Sequence, residues 1–410
     1  MFPLAPDEIR DRTVTHADAL LELLAESVRR PSESGWEDRV DGLYLDWFAE
    51  HGWQAERLPL AASATENRAE ERANVLAWWP RRRGRPVVVL NGHMDVVPAR
   101  QEDGWSRPPY DGVRADGLVH GRGSTDMKGG IASGLLALTA LADAGFDPPF
   151  DIAVQLVAGE ETTGIGTRTL LEGFPRPAAA LVLEPTDCVI VPVSTGLQFF
   201  TVDVAGRSAH TSAPWRGVDA FDRLLRVRAA LLDLAERRGA AYRHPLFADV
   251  PTAIPFAIGT VAAGHWRAAV PASATMSGRI GVRPGESLEA VRAEFLAAVA
   301  AAPADDPSLP APEVRWDHGL LGWETAQDHP LIKALAAARE TVLGEPRFTG
   351  FTAGSDAACF GAAGVPTAVF GPGQVSRAHG PDESVAEADV VAAADVLALA
   401  LTRLDTESLR

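Results

Sequence analysis

Three short apolar runs limit what this chain can become. Arg85 to Leu90 (RPVVVL), Asp151 to Val157 (DIAVQLV) and Ala179 to Leu183 (AALVL) are rich in branched side chains and too short for helices. Each reads as a buried strand, the first bounded by Gly84 and by Asn91-Gly92. Gly129 to Ala144, between the first two, is long, apolar and rich in Ala and Leu, which predicts a buried helix. His16 to Arg30 carries Leu20, Leu21, Leu23 and Leu24 at helical spacing. Strands alternating with helices imply an α/β layer fold.

From about residue 196 the rhythm changes. Leu197 to Val204, Ile254 to Ala262, Ala274 to Val282 and Glu313 to Leu320 read as strands, and Val218 to Arg238 and Ser287 to Ala301 as helices, the latter with Ser287 as N-cap. The order β-α-β-β-α-β is that of a ferredoxin-like module, and Pro303 to Pro312 is a loop inside it. After about 321 the α/β pattern resumes, with helices at Leu331 to Leu343, Ser355 to Ala363 and Ala388 to Leu404 and a short strand at Thr367 to Phe370. The expected organisation is one discontinuous domain, residues 1–195 and 321–410, with an inserted module at 196–320. A chain of 410 residues suits two domains of about 100–200 each.

The charge balance narrows the partners. With 55 acidic and 38 basic residues, net −17, nucleic acid and anionic membranes are disfavoured. The Arg81-Arg82-Arg83 run reads as a solvated turn. No run approaches the ~18 apolar residues of a membrane span. Cys188 and Cys359 are too few for a disulfide framework, and the opening MFPLAPDEIRDRTV lacks the features of a signal peptide. A cytoplasmic setting is the expectation.

Chemistry-bearing residues cluster just after the strands or in neighbouring loops. Asn91-Gly92-His93-Met94-Asp95 follows the VVVL run, at the strand end where α/β sheets carry their sites. His93 suits a metal, and Asp95 could hold its free ring nitrogen. Gly121-Arg122-Gly123-Ser124-Thr125-Asp126-Met127-Lys128-Gly129-Gly130 opens the Ala/Leu helix. It lacks both the P-loop pattern and the third Gly of the dinucleotide fingerprint, so Asp126 suits a cation better than the loop suits a phosphate. Gly159-Glu160-Glu161 and Glu184-Pro185-Thr186 follow the next two strands, and His379 sits in a late Gly-rich loop. Adjacent carboxylates beside a buried strand are costly unless compensated. A metal compensates one, and the other can serve as general base. Oxygen and imidazole ligands without thiolate fit Zn, Mn or Co, and a bridging carboxylate fits a two-metal hydrolase.

These motifs, NGHMDVVP, GRGSTDMKGG, GEE, LEPT, GRSAHTSAPWRGVDA and HGPDE, resemble those of the metallopeptidase family of acetylornithine deacetylase, succinyl-diaminopimelate desuccinylase, aminoacylase and glutamate carboxypeptidase. The resemblance runs from about residue 15 to 405. It implies two divalent ions, zinc first, with cobalt or manganese as substitutes. By position, Asp126 would bridge them, His93 and Glu184 would complete one, and Glu161 and His379 the other. Glu160 would be the base that takes a proton from a metal-bound water and passes it to the leaving amine, with Asp95 supporting His93. The Asp126–Met127 peptide is a candidate cis bond. The module at 196–320 matches the family's lid and dimerisation domain, so a homodimer is implied. There His210 would stabilise the oxyanion, usually in the partner's site.

The resemblance implies cleavage of an N-acyl amino acid, because Glu at position 184 matches the deacylases and carboxypeptidase-like members. A dipeptidase or carboxypeptidase is the alternative. A non-catalytic binding relative, and an organic-cofactor enzyme using the glycine-rich loop for phosphate, are the more distant ones. The chain departs from the family pattern at Ala268, where many relatives have Asn, and at Gly281, where the substrate-binding arginine would fall. Arg279 and Arg283 share a strand face with Gly281, so one of them would grip the substrate carboxylate. Gly354, Ser355 and Asp356 are further pocket candidates.

Overall fold

The structure, a computed structural model, describes residues 4–60, 72–82, 84–303, 306–407 and 409. Arg83 of the basic turn and residues 304–305 of the Pro-rich loop lie outside the described residues. The chain forms two compact units, one of Met1–Pro192, Glu324–Thr349 and Ser355–Arg410, the other of Val193–Trp323 and Gly350–Gly354.

The first unit opens with α1 (Pro6–Val28) and α2 (Asp38–Glu50). α1 starts at Pro6, ten residues before the expected start at His16, because Pro6 in the first turn and Asp7 and Glu8 beside it suit a helix start. The strands β1 (Gln54–Pro59), β2 (Ala73–Trp79) and β3 (Val87–His93) follow. Two short strands, β4 (Arg114–Ala115) and β5 (Leu118–His120), precede α3 (Gly129–Asp143). Next come β6 (Asp151–Val157), α4 (Ile165–Gly173), β7 (Ala179–Val182) and β8 (Ile190–Ser194).

The second unit contains β9 (Gly196–Ala205), α5 (Ala220–Ala241), β10 (Phe256–Ala263), β11 (Ser273–Val282), α6 (Leu288–Ala301) and β12 (Glu313–Leu320). The sheet order β10-β11-β9-β12 is antiparallel throughout, the ferredoxin-like arrangement. Phe200, Met276, Leu224 and Phe295 lie in its core between sheet and helices. Ser287 caps α6, its hydroxyl accepting from the Ala290 N–H at 3.2 Å.

The chain then adds β13 (Trp323–Glu324), α7 (Pro330–Leu343), β14 (Phe348–Phe351), α8 (Ala357–Ala362), β15 (Thr367–Val369), β16 (Ser384–Ala386) and α9 (Glu387–Thr402). In the main sheet β6, β3, β7 and β15 run parallel side by side, with β2 and β1 antiparallel beyond β6. β6 is buried on both faces, as a central parallel strand must be. α3, α1 and α9 pack together as one layer.

One close approach seats the loop before α3. A Cβ on Gly130 would lie 1.8 Å from the carbonyl oxygen of Leu183, the residue before Glu184. Only glycine lets the start of α3 touch the end of β7. We expect Gly130→Ala to destabilise the protein by about 3 kcal/mol through overpacking. Gly42→Ala, where a Cβ meets nothing within 4 Å, should be neutral or slightly stabilising. Thermal melts of the two variants decide it, and a native melting point for Gly130→Ala would contradict the packing.

Candidate metal centre

Five loops at the carboxyl ends of the parallel strands bring one group of side chains together. β3 ends on His93, which is paired with Val157 and almost fully buried. Its Nε2 lies 3.1 Å from Asp126 Oδ1 and 3.9 Å from both Glu160 Oε2 and Glu184 Oε1. The other oxygen of Asp126 lies 3.3 Å from His379 Nε2, which also sits 3.2 Å from Glu161. One carboxylate thus spans two imidazoles. The Asp126–Met127 peptide is cis.

The spacing fits cations. Zinc bonds of about 2.0–2.1 Å in a tetrahedron place ligand atoms about 3.3–3.4 Å apart. Two sets, His93 with Asp126 and Glu161, and His93 with Glu160 and Glu184, could each hold an ion. Neither set includes a cysteine.

The electrostatics of the ion-free cluster favour retained protons. Burial, then the negative charges of Glu184, Asp356 and Glu161, push Glu160 well above the usual carboxylate range despite His93. Burial and Asp126 do the same to Glu184. Burial would raise Asp126 as well, but hydrogen bonds with His379 and His93 hold it well below that range. His379, between Asp126 and Glu161, is pushed up to about 10.

Asp95 has a different task from the one expected. His93 Nδ1 meets the main-chain oxygen of Asp95 at 2.8 Å, while the Asp95 carboxylate is 3.9 Å away. The carbonyl accepts the Nδ1 proton and leaves Nε2 free to face the cluster. The buried carboxylate instead collects the N–H groups of Gly159, Glu160 and Glu161 at 2.9, 3.1 and 3.3 Å, plus the Ser34 hydroxyl at 2.7 Å. Two residues apart on extended backbone, the carbonyl reaches the ring first, and charge-assisted bonds draw the carboxylate to the loop.

The remaining expected residues fall elsewhere. His210 belongs to the second unit and is exposed; its Nδ1 lies 2.8 Å from the Ser212 hydroxyl and 3.1 Å from the Ser212 N–H. Arg279 and Arg283 part company. Arg283 donates to Glu286 at 2.7 Å, an acid also held by Arg238. Arg279 donates to the Thr352 carbonyl at 3.0 Å, its Nε has no partner, and no acid pairs with it among the described residues. Burial lowers its pKa. Gly354 packs against Leu320 and Leu197 in the second unit. Ser355 is buried in the first, its hydroxyl without a hydrogen-bond partner among the described residues.

Two residues of the site, Lys128 and Glu383, escaped the sequence reading, and Asp356, expected only as a pocket residue, joins the acidic cluster. Lys128 is fully buried, donates to the Ser27 carbonyl at 2.8 Å and is lowered to about 7 by burial. Asp356 accepts from Thr167 at 2.7 Å and is raised to about 6, first by burial. Glu383 is buried behind the Asp126 loop. Lys128 and Glu383 lie inside the motifs DMKGG and HGPDE, where an ionisable residue close to an expected ligand was the available signal.

Comparison with known proteins agrees with this geometry. The sequence pattern of peptidase family M20/M25/M40 matches residues 89–403. The chain belongs to that family. It is a metal-dependent hydrolase of the M20 type, with the α/β catalytic domain and inserted smaller domain of such enzymes. A Staphylococcus aureus protein described as "Probable succinyl-diaminopimelate desuccinylase" is 32% identical over 207 residues, 50% of this chain and 49% of its own. The dipeptidase Dug1p of Saccharomyces cerevisiae superposes with a TM-score of 0.78 at 15% identity, over 98% of this chain and 99% of its own. The Bacillus subtilis YXEP protein, a dinuclear metal-binding M20 peptidase, does so with a TM-score of 0.65 at 15% identity, over 95% and 98%. No helix among the described residues is long and apolar enough to cross a membrane.

A cation entering this cluster must displace protons. At pH 7.5 His379, raised to about 10, is charged, and its proton would have to leave for Nε2 to take up a cation. Metal affinity should therefore increase as pH rises from 6 toward 9. Calorimetric titration in two buffers of different ionisation enthalpy should report at least one proton released per molecule. Buffer-independent heats would contradict it.

Proposed function

We propose that the chain hydrolyses the amide bond of an N-acyl amino acid, using two divalent ions, zinc first. Asp126 carries this reading, since its two oxygens face different histidines. His93, Asp126 and Glu184 would hold one ion, and Asp126, Glu161 and His379 the other. When bound, the ions lower the pKa of water and polarise the amide carbonyl. Glu160 is the remaining acid. Its raised pKa, caused by burial and by neighbouring carboxylates, suits a group that takes a proton from the attacking water and returns it to the leaving nitrogen. Asp95 keeps Glu160 in place through the loop N–H groups.

Arg279 is the proposed grip for the substrate's free α-carboxylate, because Arg283 is committed to Glu286. Glu184 supports an acyl over a peptidyl substrate, by resemblance to the deacylases. The dipeptidase reading draws on the fold shared with Dug1p. A panel of acetyl and succinyl amino acids, dipeptides and their carboxamides tests both. We expect acyl amino acids to turn over fastest and the carboxamides to lose at least about tenfold, as buried charge-assisted bonds are worth about 1.5–3 kcal/mol. Faster dipeptide turnover would overturn the acyl preference.

A cytoplasmic homodimer completes the proposal. β10 is an edge strand without a charged side chain, and residues 259–263 are exposed, an edge that proteins normally cover. His210 of the partner subunit then supplies the oxyanion donor. Glu160→Gln should keep its metal and lose about 10²–10⁴ in rate, and His210→Ala about 10²–10³. Mixing the two inactive variants should restore about a quarter of native sites, because half the dimers are mixed and each has one complete site. No recovery on mixing would show that His210 does not act in trans.

A further inference from the structure

Glu383 lies four residues after His379 in the same loop, and its carboxylate is almost wholly buried. Its hydrogen bonds run to the backbone of the Asp126 loop. Oε1 accepts the N–H groups of Gly123, Thr125 and Asp126 at 3.0, 2.9 and 3.0 Å. Oε2 accepts from Arg122 Nη1 at 2.6 Å. The main chain closes the same gap. The Glu383 carbonyl accepts the Gly121 N–H at 2.8 Å, the Thr125 hydroxyl donates to the Ser384 carbonyl at 2.7 Å, and β16 pairs with β5 with Ser384 opposite His120. Three N–H groups can converge on one oxygen only where the backbone leaves regular structure. Gly123 does so at φ 86° and Asp126 at φ −116°, ψ 97°.

We propose that Glu383 is a positioning residue that sets the distance between Asp126 and His379. Its side chain fixes the Asp126 N–H, and its backbone belongs to the loop that carries His379. The 3.3 Å spacing between Asp126 Oδ2 and His379 Nε2 is therefore held by one brace. His93 reaches Asp126 from β3, which Glu383 does not touch among the described contacts. The ion held by Asp126, Glu161 and His379 depends on Glu383 more than its companion does. This rests on the two-ion reading above.

Glu383→Gln keeps the shape and removes the charge. With the amide oxygen toward the three N–H groups, its NH₂ faces Arg122, donor against donor. With the amide reversed, the NH₂ faces the loop. Either way the loop loses its common acceptor or the acceptor loses its cation.

The test titrates ion-free, full-length native, Glu383→Gln and Arg122→Lys proteins with Co²⁺, by calorimetry and by visible absorption, with a melting curve of each ion-free protein. For Glu383→Gln we expect one binding step to stay within about threefold of native. The other step should weaken about 10–100-fold, as is typical when a hydrogen-bonded support of a metal ligand is lost, with an altered Co²⁺ spectrum. Arg122→Lys, which leaves the three N–H bonds in place, should weaken the same step by less than about tenfold. A purely structural role would lower the ion-free melting point and leave the two steps equally affected, which overturns the proposal. Native affinities in both variants overturn it too, as does a native second step in Arg122→Lys if Glu383→Gln does not fold. Uptake of fewer than two Co²⁺ by the native chain would instead refute the two-ion reading.

Discussion

Carboxylates packed beside one another out of water are the constraint around which this molecule is arranged. Two like charges 4 Å apart repel by about 4 kcal/mol at an effective dielectric of about 20. A domain's whole stability is about 5–15 kcal/mol. Asp126, Glu160, Glu161 and Glu184 cannot all be ionised without compensation. In the ion-free protein that compensation is protonic, which is why Glu160 and Glu184 titrate high while His93 and His379 keep their charge. Divalent cations do the same work with far more charge in the same space.

The loops that carry these groups are braced crosswise. Asp95, two residues after His93, holds the N–H groups of the Glu160–Glu161 loop. Glu383, four residues after His379, holds those of the Asp126 loop. Each histidine segment therefore fixes an acidic segment with a carboxylate of its own. Backbone N–H groups that a helix or strand would have satisfied internally are satisfied here by side chains from another loop, so the ligand loops can be irregular without being loose. Deeper support comes from the Glu37–Arg72 pair, bonded twice at 2.8 and 3.0 Å, with Arg72 packed against Gly159.

Elements with strong periodicity were legible from sequence. The DIAVQLV strand and the Glu313–Leu320 strand have the limits expected of them, and the second unit's order of elements follows from its alternation. α2, β1 and β2 were not recognised: α2 mixes Asp, Gly and aromatic residues, and β1 (QAERLP) is an exposed edge without alternation. In the site, residue types at strand ends pointed to His93, Asp126, Glu160, Glu161, Glu184 and His379, which the fold gathers in one cluster. What spacing could not convey is which atom of a residue acts. Asp95 meets His93 through its backbone, and Arg283 is consumed by Glu286, an acid three residues away whose orientation only the turn after β11 decides.

The brace between Asp126 and Glu383 joins residues 257 positions apart, across the whole inserted module. At a synthesis rate of about 5–20 residues per second, the Asp126 loop leaves the ribosome about 10–50 s before the segment that holds it. Throughout that interval His379 is also missing. The nascent chain therefore carries the acidic cluster without His379, on a loop that Glu383 does not yet hold. The Asp126 loop gets its brace only near the end of translation, and a chain terminated before residue 383 never gets it.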